Sequence, residues 1–347
     1  MITNKPPFSP SIIDRINDWV NRKKLPAWLI FFIFYLLFLL INQGSSWIEG
    51  TAAFWTFAVR KIQVSIWPVM ALAMIYYLDR VALTAAENFR PLIKTDEEVY
   101  NKKIFQLTNM PARPVWMLFP IGPLMVILKY FFDFGFVVFE NRTITAFLWK
   151  LIMTGITFPL FPIFIYHTIR QLNIVSQIQS DLGEIDLFRS TPLYSFSVLT
   201  ARTGIAWIIT LSTTVLYTIF FNDPQSGAST SFIIAFTTIE VVLALASFIL
   251  PLVSLHTKME KAKGFLLDEI NQHIKNSIRL MGNELEALDP GKASAQRDLV
   301  ETLRAQHSYV RQLPTWPWRS TTFRGFLSVI FLPVLLMVIQ QLIENLF

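Results

Sequence analysis

LPTWPWRSTTFRGFLSVIFLPVLLMVIQQL, residues 313–342, sets two kinds of sequence side by side. Two tryptophans and two prolines come first, then Arg319 and Arg324, then an apolar run from Phe323 to Glu344. Roughly 20 predominantly apolar residues are needed to cross a ~30 Å hydrocarbon core as a helix. The run has that length, so reading it as a membrane crossing decides the class of the fold. Pro314 and Pro317 lack a backbone N–H and disfavour helix in the residue before them, so a helix arriving from upstream must stop here. Trp316 and Trp318, apolar in body with one N–H each, suit the headgroup layer, and Arg319 fits beside lipid phosphates. The joint formed by Pro314, Trp316, Pro317, Trp318 and Arg319 then reads either as an interfacial anchor or as a stiff coupling between upstream helices and the membrane helix.

Composition points the same way. Of 347 residues, 53% are hydrophobic, with 31 Phe and 10 Trp, and only 16% are charged. Soluble domains carry roughly 25% charged residues. Apolar blocks suited to crossing fall at 27–43, 54–78, 114–139, 144–167, 203–221, 231–255 and 323–344, with Arg60 and Lys61 interrupting the second. The expected fold is all-α: a polytopic membrane protein with about seven transmembrane helices and a cytoplasmic helical hairpin extension.

Seven crossings put segments 1–26, 79–113, 168–194 and 256–324 on one side, and these hold 24 of the 30 Lys and Arg. Of the short loops opposite, 44–53, 140–143 and 222–230, only the second contains one, Arg142. The positive-inside rule places the N-terminus in the cytoplasm and the C-terminus outside, in an inner (plasma) membrane. Basic residues sorted by membrane side are not read as nucleic-acid contacts; the expected partner is the lipid bilayer.

The expected units follow from this. Residues 1–26 form a cytoplasmic amphipathic helix, with Ser11 and Asp14 as a capping box, lying on the inner leaflet or on the protein's own cytoplasmic domain. Residues 27–255 form a six-span bundle with cytoplasmic loops 79–113 and 168–194. In 256–322, Met259, Leu266, Ile270, Ile274, Ile278, Met281, Leu285 and Leu288 make one stripe, Asp289-Pro290-Gly291 a turn, and Leu299, Leu303, Val310 and Leu313 a second stripe. That pattern predicts an antiparallel helical hairpin, ending in the Trp/Pro joint. Residues 323–347 hold the seventh span.

No cysteine is present. The four histidines lack ligand spacing, and no GxSxG, P-loop or GxGxxG occurs. The expectation is a non-enzyme with no catalytic residue, no metal and no cofactor. Charges inside spans carry more information, because each costs ~2.5–3.5 kcal/mol at the bilayer centre and so faces a partner or water. Glu240 falls roughly 13 Å from the outer edge, and Lys129 and Lys150 about 8–10 Å. With Asp133 they are candidates for an outward-opening vestibule or ligand pocket, Glu240 facing Lys129 or Lys150. The alternative is a buried salt bridge for Glu240, and for Lys129 a snorkelling side chain beside Asp133. Thr203, Thr210, Thr214 and Thr218 keep one face of span five hydroxylated, as helix–helix glue or pore lining. In span seven, Leu336, Gln340, Gln341 and Glu344 are pore-lining candidates, or mark where lipid ends.

FQLTNMPARP (105–114), IDLFRSTPLYSFSVLTARTG (185–204) and LPTWPWRSTTFRGFLS (313–328) resemble a family of bacterial multi-pass membrane proteins that has no assigned activity. The likeness runs from about the second span to the C-terminus and implies a bacterial inner membrane. In architecture alone the layout is similar to insect chemoreceptor-type channels, in which seven spans and projecting cytoplasmic helices surround a pore lined by a split final helix. That resemblance implies a homo-oligomer, tetrameric by analogy, and a small-molecule ligand. The leading expectation is therefore a homo-oligomeric ion channel or ligand-responsive receptor-like channel. A secondary transporter of a small solute and a membrane scaffold docking a cytoplasmic protein remain as alternatives. Against the transporter, no repeated halves are visible; for it, Pro120-Ile121-Gly122-Pro123, Pro159 and Pro162 permit broken helices.

Overall fold

The computed structural model describes residues 6–48, 50, 52–124, 127–128, 144–183, 185–188, 190–221, 230–286 and 290–346. Among these the chain is all-helical, apart from a single bridge between Pro10 and Pro111. Among the described residues, four helices are long and apolar enough to cross a membrane, over Ala27–Ile48, Val64–Leu92, Leu151–Ser180 and Thr237–Asn283. They overlap the first, second, fourth and sixth expected spans. Half of the third expected span, with Lys129 and Asp133, lies outside the described residues. The fifth and seventh fall in helices of 27 residues each, of which Ser320–Leu335 is a shorter apolar stretch.

Helix α1 (Ile12–Arg22) opens with the expected capping box, the Asp14 carboxylate accepting from the Ser11 N–H at 2.8 Å. It packs Ile13, Asp14, Asn17 and Val20 against the protein itself. Polar Asp14 and Asn17 on that face distinguish it from a lipid-facing stripe.

Helix α2 (Ala27–Ile48) antiparallels α3 (Val59–Phe89) through a tight aromatic connection. There Gln43 Nε2 and Trp47 Nε1 donate to the Thr56 carbonyl at 2.6 and 3.1 Å. Phe54 and Trp55 meet Trp47 at tilted angles yet stay exposed, as an interfacial belt requires. The second span is displaced from its expected limits of 54–78, because Arg60 and Lys61 sit in the first turn of α3 rather than interrupting it. The Lys61 ammonium donates to the Asn42 carbonyl of α2 at 2.7 Å.

Helix α4 (Glu97–Thr108) is pinned to α3 by buried Tyr100, whose hydroxyl donates to the Ala86 carbonyl at 2.7 Å. Burial pushes its phenol up to about 12. After the short α5 (Ala112–Leu118), α6 (Ile144–Thr157) and α7 (Leu160–Ser180) are separated at Phe158-Pro159. Helix α7 continues well past 167, as Ile174, Val175 and Ile178 keep an apolar face buried.

The single turn α8 (Ser190–Leu193) leads into α9 (Ser195–Phe221), which packs on α3 and on α10 (Thr230–Ile249). A 3-10 turn at Leu250–Leu252, caused by Pro251, joins α10 to the 34-residue α11 (Val253–Glu286). Helix α12 (Pro290–Gln312) packs along α11. Pro290 is the first helical residue, which its missing N–H and fixed φ favour. Of the expected stripes, Met259 and Val310 are buried and Leu266, Ile270, Ile274, Met281, Leu303 and Leu313 half-buried, while Ile278 and Leu299 are exposed and Val300 is buried instead. Helix α13 (Ser320–Leu346) then packs on α9 and α10.

Two lysines of α11 hold neighbouring helices by their C-termini. Lys258 Nζ donates to the carbonyls of Ser180 and Leu182 at 2.7 Å each, and Lys263 Nζ to those of Arg311 and Leu313 at 2.6 and 2.8 Å. A cation here meets both orphan carbonyls and the negative dipole end. Lys258→Met keeps the stem but removes the donors. We expect it to lower stability by about 2 kcal/mol and to increase hydrogen exchange at 178–182, whereas Lys275→Met changes neither.

Candidate functional site

The most constrained chemistry lies where α1, α3 and α7 meet. Asp79, near the end of the apolar part of α3, is 8% exposed. Asn17 Nδ2 of α1 and Gln171 Nε2 of α7 each donate to its carboxylate at 3.3 Å. His167 Nε2 lies 3.3 Å from Asp79 Oδ1, within ion-pair reach but without hydrogen-bond alignment. His167 and Gln171 are one turn apart, so α7 presents both to the same carboxylate. Gln171 also donates to the Leu107 carbonyl at 3.2 Å.

A second carboxylate completes the cluster. Asp14 Oδ2 accepts the N–H of Ser11 and, at 2.9 Å, that of Met110. Burial pushes the Asp14 carboxyl above its ordinary value, while the Ser11 and Met110 hydrogen bonds pull it back. Arg170 Nη1 donates to the carbonyls of Gln106 and, at 2.6 Å, Asn109, and its guanidinium lies over Phe8. Three helices and the chain around 106–112 are thus fixed to one another by groups that burial makes costly to leave unpaired.

Glu240 on α10 is fully buried, and its Oε1 accepts from Ser212 Oγ of α9 at 2.7 Å. Its Oε2 has no hydrogen-bond partner among the described residues, nor do the buried hydroxyls of Thr210 and Thr237. Thr203, also buried, donates back to the Leu199 carbonyl at 3.0 Å. The described part of the threonine face, Thr203 and Thr210, is therefore enclosed by protein. Lys150 lies on α6, but its side chain, like those of Thr214 and Thr218, falls outside the described residues. Helix α13 carries Leu336, Gln340, Gln341 and Glu344, whose side chains likewise fall outside them. An apolar groove of about 630 Å³ separates α7 from α10, with Phe161, Trp207 and Leu243 on its walls. Glu240 does not line it.

The Trp/Pro joint is a packed structure. Trp316 stacks on His256 of α11 at 3.9 Å and 3° between planes, and His256 Nδ1 lies 3.0 Å from the Thr315 carbonyl. Trp318 stacks on Trp316 at 4.4 Å and on Phe323 of α13 at 5.4 Å. Phe248 of α10 meets Trp318 at 5.2 Å and Phe326 at 4.5 Å. Pro317 is buried and Pro314 exposed, and Arg319 leaves the stack towards a neighbouring cavity. Half-buried tryptophans stacked within the protein do more than an interfacial anchor requires.

Sequence reasoning singled out the joint and Glu240 but missed Asp79, His167 and Gln171. Their signal was polar residues at one-turn spacing on an otherwise apolar helix, facing a carboxylate 88 positions upstream of His167. No protein-family profile, curated protein or solved structure matches the chain.

Proposed function

We propose that this integral membrane protein is a ligand-responsive ion channel assembled from several copies of the chain, with α13 nearest the shared axis. The observation that carries the reading is the continuous stack His256–Trp316–Trp318–Phe323. It ties the first turns of α11 to the start of α13, so movement of the α11–α12 pair reaches a membrane helix with little slack. Beyond Ile330, α13 leaves Phe331, Leu335, Val338 and Leu342 exposed, as a helix meeting lipid or further copies would. In this reading there are seven crossings, the N-terminus and the α11–α12 pair are cytoplasmic, and Leu336, Gln340, Gln341 and Glu344 line the pore. The resemblance to bacterial multi-pass proteins supports an inner membrane, and the architectural one supports a tetramer.

Reconstitution in planar bilayers tests it. Discrete conductance steps are expected, with Leu336 and Gln340 substitutions changing unitary conductance. Trp316→Ala is expected to change open probability at unaltered unitary conductance, since it breaks the coupling and not the pore. A verified oligomer that never conducts contradicts the channel.

A second reading, a transporter, is favoured by one observation: Glu240, a carboxylate inside a span, has an oxygen with no hydrogen-bond partner among the described residues. It requires solute flux in liposomes that Glu240→Gln abolishes, with no conductance steps.

A further inference from the structure

A cavity of about 700 Å³ opens between α3, the start of α9 and the start of α13. Helix α3 contributes Arg80, Thr84 and Asn88, spaced by four residues and so on one face. From α9 comes Arg202, and Arg319 and Thr321 border it at the start of α13. Among the described residues, no acidic side chain lines it. Arg202 is held in place, donating to the Tyr77 hydroxyl with its guanidinium 5.4 Å from that ring. Among the described residues, neither Arg80 nor Arg319 has an ion-pair partner.

Three guanidiniums around one cavity repel one another, and each is always charged. An anion relieves that repulsion. The N-termini of two long helices, Ser195–Phe221 and Ser320–Leu346, border the cavity and add positive partial charge. Guanidinium forks match the paired oxygens of a phosphate, and the hydroxyl of Thr321 adds a donor. The volume suits a small ligand or a lipid headgroup with the top of its chains.

We propose that this cavity is a binding site for a net-negative, phosphate-bearing ligand, with Arg80, Arg202 and Arg319 as its cationic clamp. In the seven-crossing reading the three arginines flank the near ends of the second, fifth and seventh expected spans, where an anionic lipid would present its phosphate. A soluble phosphate ester has the same recognition chemistry. The proposal holds whether or not the chain conducts. Because Arg319 and Thr321 belong to the start of α13, an occupied site would also bear on that helix.

The test is ligand-dependent melting of the full chain in neutral detergent. Dioctanoyl phosphatidic acid, sn-glycerol 3-phosphate and dioctanoyl phosphatidylcholine are the three probes. Stabilisation by phosphatidic acid well beyond phosphatidylcholine is expected, with half-saturation raised about tenfold by Arg80→Gln or Arg319→Gln. Arg319→Lys, which keeps the charge and loses the fork, is expected to fall between. Arg279→Gln, on exposed α11, is expected to change nothing. Each variant's melting without ligand serves as the folding check. Stabilisation by phosphatidic acid alone identifies a lipid, and stabilisation by glycerol phosphate as well identifies the phosphate group as sufficient; both support the site. No stabilisation by either, equal stabilisation by phosphatidylcholine, or equal loss in Arg279→Gln overturns it.

Discussion

Gly204→Ala is expected to destabilise the protein, and Gly204→Leu to prevent its assembly into a monodisperse species in detergent. Gly204 sits in α9 where three helices come closest. A Cβ built there would lie 2.8 Å from the Ala244 carbonyl oxygen of α10 and 2.7 Å from Phe326 Cε2 of α13. Backbone oxygen cannot turn aside, and Phe326 is 1% exposed and wedged against Phe248. Two effects oppose each other. Replacing glycine inside a helix with alanine contributes about 1 kcal/mol of helix propensity. Overpacking a core position costs about 1–3 kcal/mol, and here the clash involves an immovable atom. The clash wins, leaving a net loss on the order of 1–2 kcal/mol for alanine and more for leucine. Thermal unfolding followed by tryptophan fluorescence measures it. An alanine variant as stable as the parent would mean that α9, α10 and α13 are not in such close contact.

Asp79→Leu is expected to cost about 2–4 kcal/mol, because it removes the acceptor that the buried amides of Asn17 and Gln171 share. Asp79→Asn retains the volume and one acceptor oxygen, and about half that loss is expected. The more discriminating experiment is a double-mutant cycle with Gln171→Leu. With both partners apolar, the donor no longer lacks an acceptor, so the combined loss should fall short of the sum by more than about 1 kcal/mol. Strict additivity would show that the 3.3 Å contact between Gln171 and Asp79 contributes nothing. The same cluster predicts that α1 detaches first: limited proteolysis near Arg22 should accelerate in Asp79→Leu well before the α9–α10 pair loosens.

Much of this was legible in the residues, and for physical reasons. Length and hydropathy exposed α2, and Ser11 three residues before Asp14 exposed the start of α1, since both signals are local. The end of α10 was less legible, because Pro251 yields only a 3-10 turn where a full break or none would be equally consistent with sequence. Arg60 and Lys61 suggested an interruption, yet the first turn of a helix that begins at Val59 tolerates them. What could not be read was everything assembled from distant elements. Asp79 draws its partners from α1 and α7, and nothing in the chain announces that a carboxylate, an asparagine and a glutamine will meet. Trp316 and Trp318 were visible as aromatic, but whether they face lipid or His256 is decided by packing. The cavity arginines were present as ordinary basic residues at span ends, and only the three-helix geometry gathers them.

The central claim is that the apolar helices cross a bilayer and leave α11 and α12 on the side opposite the α2–α3 connection. The chain contains no cysteine, so single cysteines can be introduced without background. Ala53→Cys, in the exposed aromatic connection, and Ser294→Cys, on the exposed face of α12, are the informative pair. Labelling in intact cells and in inverted vesicles with a membrane-impermeant maleimide is the direct measurement. Modification of Ala53→Cys only from outside and of Ser294→Cys only from inside is the predicted result; both positions reacting from the same side would contradict it.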